Sequence, residues 1–403
     1  MDRRTFVKTG ATLSAAAALF PTSLLAEAAI KTNSEKFPKP LVPKMNGDVK
    51  EFELFIDIHQ QELAPGMKIH TLAFNNQVPG PEIRVNRGDQ VRVIFKNKTE
   101  LNHTIHWHGL YVPWRMDGVP YVTQMPVMPG QEFIYEFVAE PYGTHFYHCH
   151  WGTLLHMQSG MYGSFIIEDP GDPIKKQFPY EREYTLVYSA HDVNFIRDEL
   201  NVMLERMKER MYLMKKGRFD KERFALFDSK EEFEEAVGNG YQPPYLTNRR
   251  APSELPEPNW FTVNGKSYPW TPNLYINKEE NIRVRLINAG SEAHSLHLHG
   301  HDFWQVCDDG LPIPQPWQMN TLLLSPGKTF DIIIEGKNRG IWTFHDHDTR
   351  RVTNNGLYPG GNLLALVYED LPMEERMVGQ MAGMKMDMKD MKMNMLPKVA
   401  LDE

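Results

Sequence analysis

VRVIFKNKTELNHTIHWHGL, residues 91–110, and IRVRLINAGSEAHSLHLHGH, residues 282–301, follow one grammar. Each opens on alternating apolar and polar residues, the period-two signature of a strand with one buried face. Each then crosses a polar turn and ends in H-x-x-H-x-H-G. The parallel continues downstream: PGQEFIYEF (129–137) and THFYHCH (144–150) follow the first copy, PGKTFDIII (326–334) and WTFHDH (342–347) the second. Strand, histidine cluster, Pro-Gly turn, strand and H-x-H pair recur in the same order, which indicates two tandem domains of one fold. They are placed at residues 45–170 and 258–370. Other runs, such as EIRVNRGDQVRVIF (82–95), are equally short, alternating and bounded by Gly, Pro and Asn. The fold class is all-β, with sandwich or barrel domains.

The remaining segments have other compositions. MDRRTFVKTG carries Arg3-Arg4 ahead of the apolar run ATLSAAAALF, with small residues near Ala26-Glu27-Ala28. Residues 1–28 therefore read as a twin-arginine-type signal peptide of a periplasmic or otherwise exported protein, an uncleaved anchor being the alternative. Residues 171–257 read as a helical insert followed by a proline-rich linker, YQPPYLTNRRAPSELPEPNW at 241–260. In the insert Met203, Met207, Met211 and Met214 share a helix face, either as a packing stripe or as a copper track. The tail, 371–403, holds nine methionines among lysines and aspartates. Its composition argues for disorder, and thioether sulfur suits Cu(I).

Composition narrows the function. The 403 residues are 41% hydrophobic and 24% charged, with a net charge of -8 and no long basic block. This is a soluble globular composition, and nucleic acid is excluded as a partner.

Thirteen of the sixteen histidines fall in the windows 103–108, 145–156, 294–301 and 345–347. Scattered core histidines do not cluster so, whereas imidazole is the commonest transition-metal ligand. On a strand, H-x-H points both rings to one face. Four such pairs, His106/His108, His148/His150, His297/His299 and His345/His347, suggest a multinuclear site. Cys149 lies between His148 and His150, so alternation turns it to the opposite face. With His103, His156 and Met161 it offers Cys, two His and a weak Met, the ligand set of a blue copper centre. One strand would then serve two metal centres. The other cysteine, Cys307, reads as a small buried hydrophobe.

HTIHWHGL, MDGVPYVTQMPVMPG, HFYHCHWGTLLHMQSGM, HSLHLHGHDF and WTFHDHD together resemble a multicopper oxidase of the small two-domain kind, a relative of copper nitrite reductases. The resemblance implies two cupredoxin-like Greek-key β-sandwiches. It implies a type 1 copper on His103, Cys149, His156 and Met161 and a type 2 copper on His106 and His297. It implies a type 3 pair on His108, His148, His150, His299, His345 and His347. Asp117 matches the acid that relays protons to the oxygen-binding cluster; a plain turn aspartate before Gly118 is the simpler reading. The implied reaction oxidises a phenol, Cu(I) or another metal ion and reduces dioxygen to water. The implied assembly is a homotrimer with trinuclear sites at subunit interfaces.

The second domain departs from the pattern, with Asp346 in place of the cysteine and Leu357 near the place of the methionine. It is expected to lack a type 1 site, leaving His294 without a ligand role. His145 and His301 fit no ligand position. Two other functions stay open on these residues: nitrite reduction, which needs a single copper at the interface, and copper sequestration through the tail.

Overall fold

The structure, a computed structural model, describes residues 36–200 and 256–372. The first domain runs through β1 (Lys44–Asn46), β2 (Val49–Ala64), β3 (Met67–Phe74), β4 (Gly80–Asn86), β5 (Gln90–Asn97), β6 (Ile105–His108), β7 (Glu132–Val138), β8 (Gly143–Cys149) and β9 (Tyr162–Glu168). One sheet has the order β1-β2-β5-β7, with β3 on β2; the facing sheet has the order β4-β9-β8-β6. Alternation along β5 sends Val91, Val93 and Phe95 inward and leaves Arg92 and Lys96 at the surface. The buried faces close on a core of Phe52, Leu54, Ile56, Phe95, Trp107 and Tyr147, with Cys149 and Met161 at its end. Both sulfur side chains are therefore excluded from water by the same apolar packing that holds the sandwich together.

The second domain contains β10 (Arg182–His191), β11 (Trp260–Val263), β12 (Leu274–Ile276), β13 (Asn281–Asn288), β14 (His294–Leu298), β15 (Phe303–Asp308), β16 (Leu311–Met319), β17 (Thr321–Leu324), β18 (Thr329–Glu335), β19 (Ile341–Asp346) and β20 (Leu363–Tyr368). Its sheets have the orders β11-β10-β13-β18-β15-β16 and β12-β20-β19-β14-β17.

This corrects one boundary. Residues 182–191, read from sequence as part of a helical insert, form β10, an interior strand of the second domain's larger sheet, parallel to β13. That domain begins before the insert, not at 258. The reason is physical: Thr185–His191 are all buried. A strand covered on both faces shows no alternation. Helical residues do flank it, at Pro173–Gln177 and at 193–200. The signal segment, the methionine stripe of the insert and the methionine-rich tail lie outside the described residues.

β13 and β18 are nearly wholly buried because the larger sheet has its own domain on one side and β8 of the first domain on the other. Thr144 of β8 donates to Asp331 at 2.7 Å and accepts from Arg285 at 2.7 Å. Arg283 pairs with both Asp331 and Asp172. Burial opposes charge on Asp331, yet Arg283 and Arg285 hold its carboxyl below the usual range. At Gly143 the chain passes so close to Gly310 that a Cβ would lie 2.0 Å from the Gly310 carbonyl oxygen. Only glycine permits that approach. These contacts fix β8, the strand that carries His148 and Cys149.

Candidate metal centres

On one face of β8, Cys149 is fully buried, with its sulfur 3.6 Å from His103 Nδ1 and 3.2 Å from His156 Nδ1. His103 Nε2 lies 2.7 Å from Thr99 Oγ1, which turns Nδ1 toward the sulfur. His156 sits on a short helix, Thr153–Gln158, that follows β8. Met161 is buried beside them, and its carbonyl accepts from the Cys149 N–H at 3.1 Å while its own N–H donates to the His156 carbonyl at 3.0 Å. Thus Cys149, His156 and Met161 are tied through their backbones. Burial pushes His156 down to about 3 and His103 well below the usual imidazole range. Both rings are neutral, the form that binds metal. Burial pushes the Cys149 thiol up to about 12, so a bound cation must displace its proton.

On the other face lies a histidine quartet. β6 and β8 pair His106 with His148. His106 is 5.7, 5.3 and 5.6 Å, ring centre to ring centre, from His108, His148 and His150. Ligand nitrogens of His106, His108 and His148 all lie within 4.8 Å of one another. His106 Nδ1 is 2.8 Å from the Asp117 carbonyl, and His148 Nδ1 is 3.0 Å from the Cys149 carbonyl. A carbonyl can only accept, so both Nδ1 atoms carry the proton and both Nε2 atoms keep a free lone pair. Burial, and then the neighbouring His106, depress His108 to about 4. Burial likewise brings His148 to about 3.

The second domain repeats this quartet. β14 and β19 pair His297 with His345. His297 is 5.0, 5.9 and 5.6 Å from the rings of His299, His345 and His347. His297 Nδ1 faces the Asn320 carbonyl at 2.8 Å, and His345 Nδ1 faces the Asp346 carbonyl at 2.8 Å. His299 Nε2 and His345 Nε2 approach to 3.0 Å. His299 and His347 are exposed. Among the described residues no ring contact joins the two quartets.

Asp117 places its carbonyl on His106 and its carboxylate 3.2 Å from the same Nδ1. The residue after it must be glycine: a Cβ on Gly118, whose φ is +81°, would lie 1.8 Å from the Ile105 carbonyl oxygen. The Asp-Gly turn is therefore built to press Asp117 against the histidine strand. His145 and His301 pack instead, on the Pro141 carbonyl and the Tyr368 hydroxyl respectively.

Opposite the second quartet, where a sulfur centre would sit, the side chains differ. His294 Nδ1 lies 2.8 Å from Asp346 Oδ2. The backbone places Asn362, not Leu357, at the position of Met161: Cys149 N donates to Met161 O, and Asp346 N donates to Asn362 O at 3.2 Å. The intervening loops differ in length, so counting residues from the cysteine could not find Asn362. Sequence reading also passed over Thr99, which orients His103, and Asn320, which orients His297. Only their turn positions beside the histidine clusters signalled them.

Two family models, both described as multicopper oxidase, match residues 57–172 and 241–358. A crystal structure of a blue copper oxidase from Nitrosomonas europaea is 32% identical, covering 80% of this chain and 88% of that one, with a TM-score of 0.65. The chain belongs to the multicopper oxidases. Among curated relatives, a copper resistance protein A homolog from Pseudomonas syringae pv. tomato is 28% identical over 71% of this chain and 47% of its own length. Laccase-1 of Cryptococcus neoformans var. grubii is 27% identical over 71% of this chain and 42% of its own length. The chain thus spans about half the length of these curated relatives. Copper is the metal that membership implies for this multicopper oxidase. The donor set fits it: a thiol with two neutral imidazoles on one face of β8, and imidazoles held in one tautomer on the other.

Proposed function

We propose that this multicopper oxidase couples one-electron oxidation of a reducing substrate to the four-electron reduction of dioxygen to water. Bound copper would supply the electron acceptance and the oxygen chemistry. His103, Cys149, His156 and Met161 would hold a type 1 copper, His106 and His297 a type 2 copper, and His108, His148, His150, His299, His345 and His347 a type 3 pair. The observation that carries this reading is the two-faced strand: Cys149 turns to one buried centre while His148 and His150, its covalent neighbours, turn to the other. Electrons entering beside His156 would then have a continuous bonded path, through Cys149 and the adjoining backbone, to the oxygen-reducing side. Apolar packing around Cys149 excludes water from that path. Asp117, 3.2 Å from His106 Nδ1, would hold a proton beside the place where dioxygen becomes water.

Each quartet is half of a site. The exposed His299 and His347 support completion by a second chain, with the first domain of one copy meeting the second domain of the next in a closed head-to-tail trimer. The Arg3-Arg4 segment supports export to the periplasm. Substrate is a phenol, Cu(I) or another metal ion.

The test is oxygen uptake by the copper-loaded protein across a panel of Cu(I), Fe(II), Mn(II) and phenols, with and without residues 373–395. Oxygen consumption with at least one donor is expected. Nitrite reduction without any oxygen uptake would move the chain to the nitrite reductases. Copper tolerance lost with the tail but kept in Cys149→Ser would make sequestration the function.

A further inference from the structure

The second domain carries a buried polar cluster that the oxidase reaction does not use. It occupies the place of a type 1 site. Asn97 and Asn288 make matching turns, each donating to two carbonyls, Leu101 and Val127 for the first, Glu292 and Leu324 for the second. This aligns His294 with His103 and Gly290 with Thr99. Three side chains differ between the copies: Thr99 against Gly290, Cys149 against Asp346 and Met161 against Asn362. His294 and Asp346 are wholly buried and Asn362 nearly so.

We propose that Asp346 is a positioning residue for the second histidine quartet, replacing by hydrogen bonds the bracing that copper ligation gives the first domain. Its carboxylate has three partners. Oδ1 accepts from Ser295 N at 3.1 Å and from Asp348 N at 3.0 Å, and Oδ2 meets His294 Nδ1 at 2.8 Å. Its own carbonyl accepts a hydrogen bond from His345 Nδ1 at 2.8 Å, and the His347 N–H donates to the Ser295 carbonyl at 2.7 Å. One side chain therefore locks the strand bearing His297 to the segment bearing His345 and His347. Of these three, His347 stands exposed and His297 and His345 are half-buried.

Distance separates a brace from a metal site. Ligand atoms around one tetrahedral ion at bonding distances of about 2.0–2.1 Å stand roughly 3.3 Å apart. The first domain shows 3.2 and 3.6 Å between sulfur and imidazole nitrogens. The His294–Asp346 pair has closed to 2.8 Å, a hydrogen bond with no room for an ion. A carboxylate also accepts several N–H donors at once, which a thiol cannot.

This inference rests on the reading of the quartets as copper half-sites, and the experiment separates the two. Asp346→Ala and the conservative Asp346→Asn are loaded with copper beside the wild type. Copper per chain, the blue absorption and the copper paramagnetic spectrum are measured, with melting of the copper-free proteins. Asp346→Ala is expected to keep the blue centre while its non-blue copper binds about 10- to 100-fold more weakly, as follows when partners orienting a ligand are removed. Asp346→Asn, which keeps the backbone contacts, is expected to recover most of that binding, and it carries the test if the alanine variant does not fold. Full non-blue copper in both variants overturns the proposal. So does parallel loss of blue copper and of copper-free melting temperature, which marks a merely structural role. A wild type that binds only the blue copper overturns the half-site reading itself.

Discussion

Cys149 and Asp346 stand at the same position of the same strand in two copies of one fold, each with a buried histidine against it. The faces toward the quartets have stayed alike: His106 pairs with His148 as His297 pairs with His345. The opposite faces have parted. One keeps soft donors at ligand spacing, and the other has exchanged them for hard donors at hydrogen-bond spacing. Period-two geometry makes this possible, because the two faces of a strand answer to different neighbours. Under the proposed function, a shared cluster would constrain one face in both domains, whereas an electron entrance would be needed only once.

The comparison breaks most sharply at Cys149. Cys149→Ser replaces the soft thiolate donor with a poor copper ligand, and oxygen uptake is expected to fall below about 1% of wild type while the non-blue copper stays. A surviving blue band in that variant would refute the sulfur centre. Asp117→Asn keeps the backbone contact to His106 but removes the carboxylate. An approximately 100-fold fall in kcat with KM for the donor little changed is expected, the usual scale for a lost proton-transfer group. A loss confined to KM instead would make Asp117 a turn residue only.

Acid–base behaviour sharpens the contrast. Cys149, pushed up to about 12, is protonated in the copper-free protein at neutral pH, while burial keeps His156 and His103 neutral. Binding therefore releases one proton, and affinity for the blue copper should rise about tenfold per pH unit between roughly pH 7 and 9. A flat profile in a metal competition titration would mean that the thiol is already ionised. The smallest effect belongs to Cys307. It is buried and free, with the Arg283 guanidinium 3.9 Å from its sulfur. Cys307→Ala should leave colour and oxygen uptake unchanged and cost about 1 kcal/mol in denaturant melts.

The all-β class, the repeat and the two-faced strand were legible because they rest on alternation, which a sequence displays directly. β10 was not, since a strand buried on both faces loses that pattern, and a charged helical run downstream drew the boundary with it. Among site residues, the histidines and Cys149 announced themselves by clustering. Asn362 did not, because its place is set by backbone pairing across loops of unequal length. Thr99 and Asn320 were hidden for another reason: a hydroxyl or carbonyl that orients an imidazole has no spacing rule of its own.

The course of β10 also bears on the segment that follows it. His191, at its end, lies opposite Trp260 in the antiparallel pair with β11, and Asn259 N donates to the His191 carbonyl at 3.0 Å. The segment between them is rooted at adjacent points of the second domain. Its root, though, is not neutral ground: Asp192 N donates to Gln158 Oε1 at 2.8 Å, and the His191 ring holds the Gln158 carbonyl at 2.6 Å, two residues from His156. Whatever pulls on that root reaches the helix that carries His156.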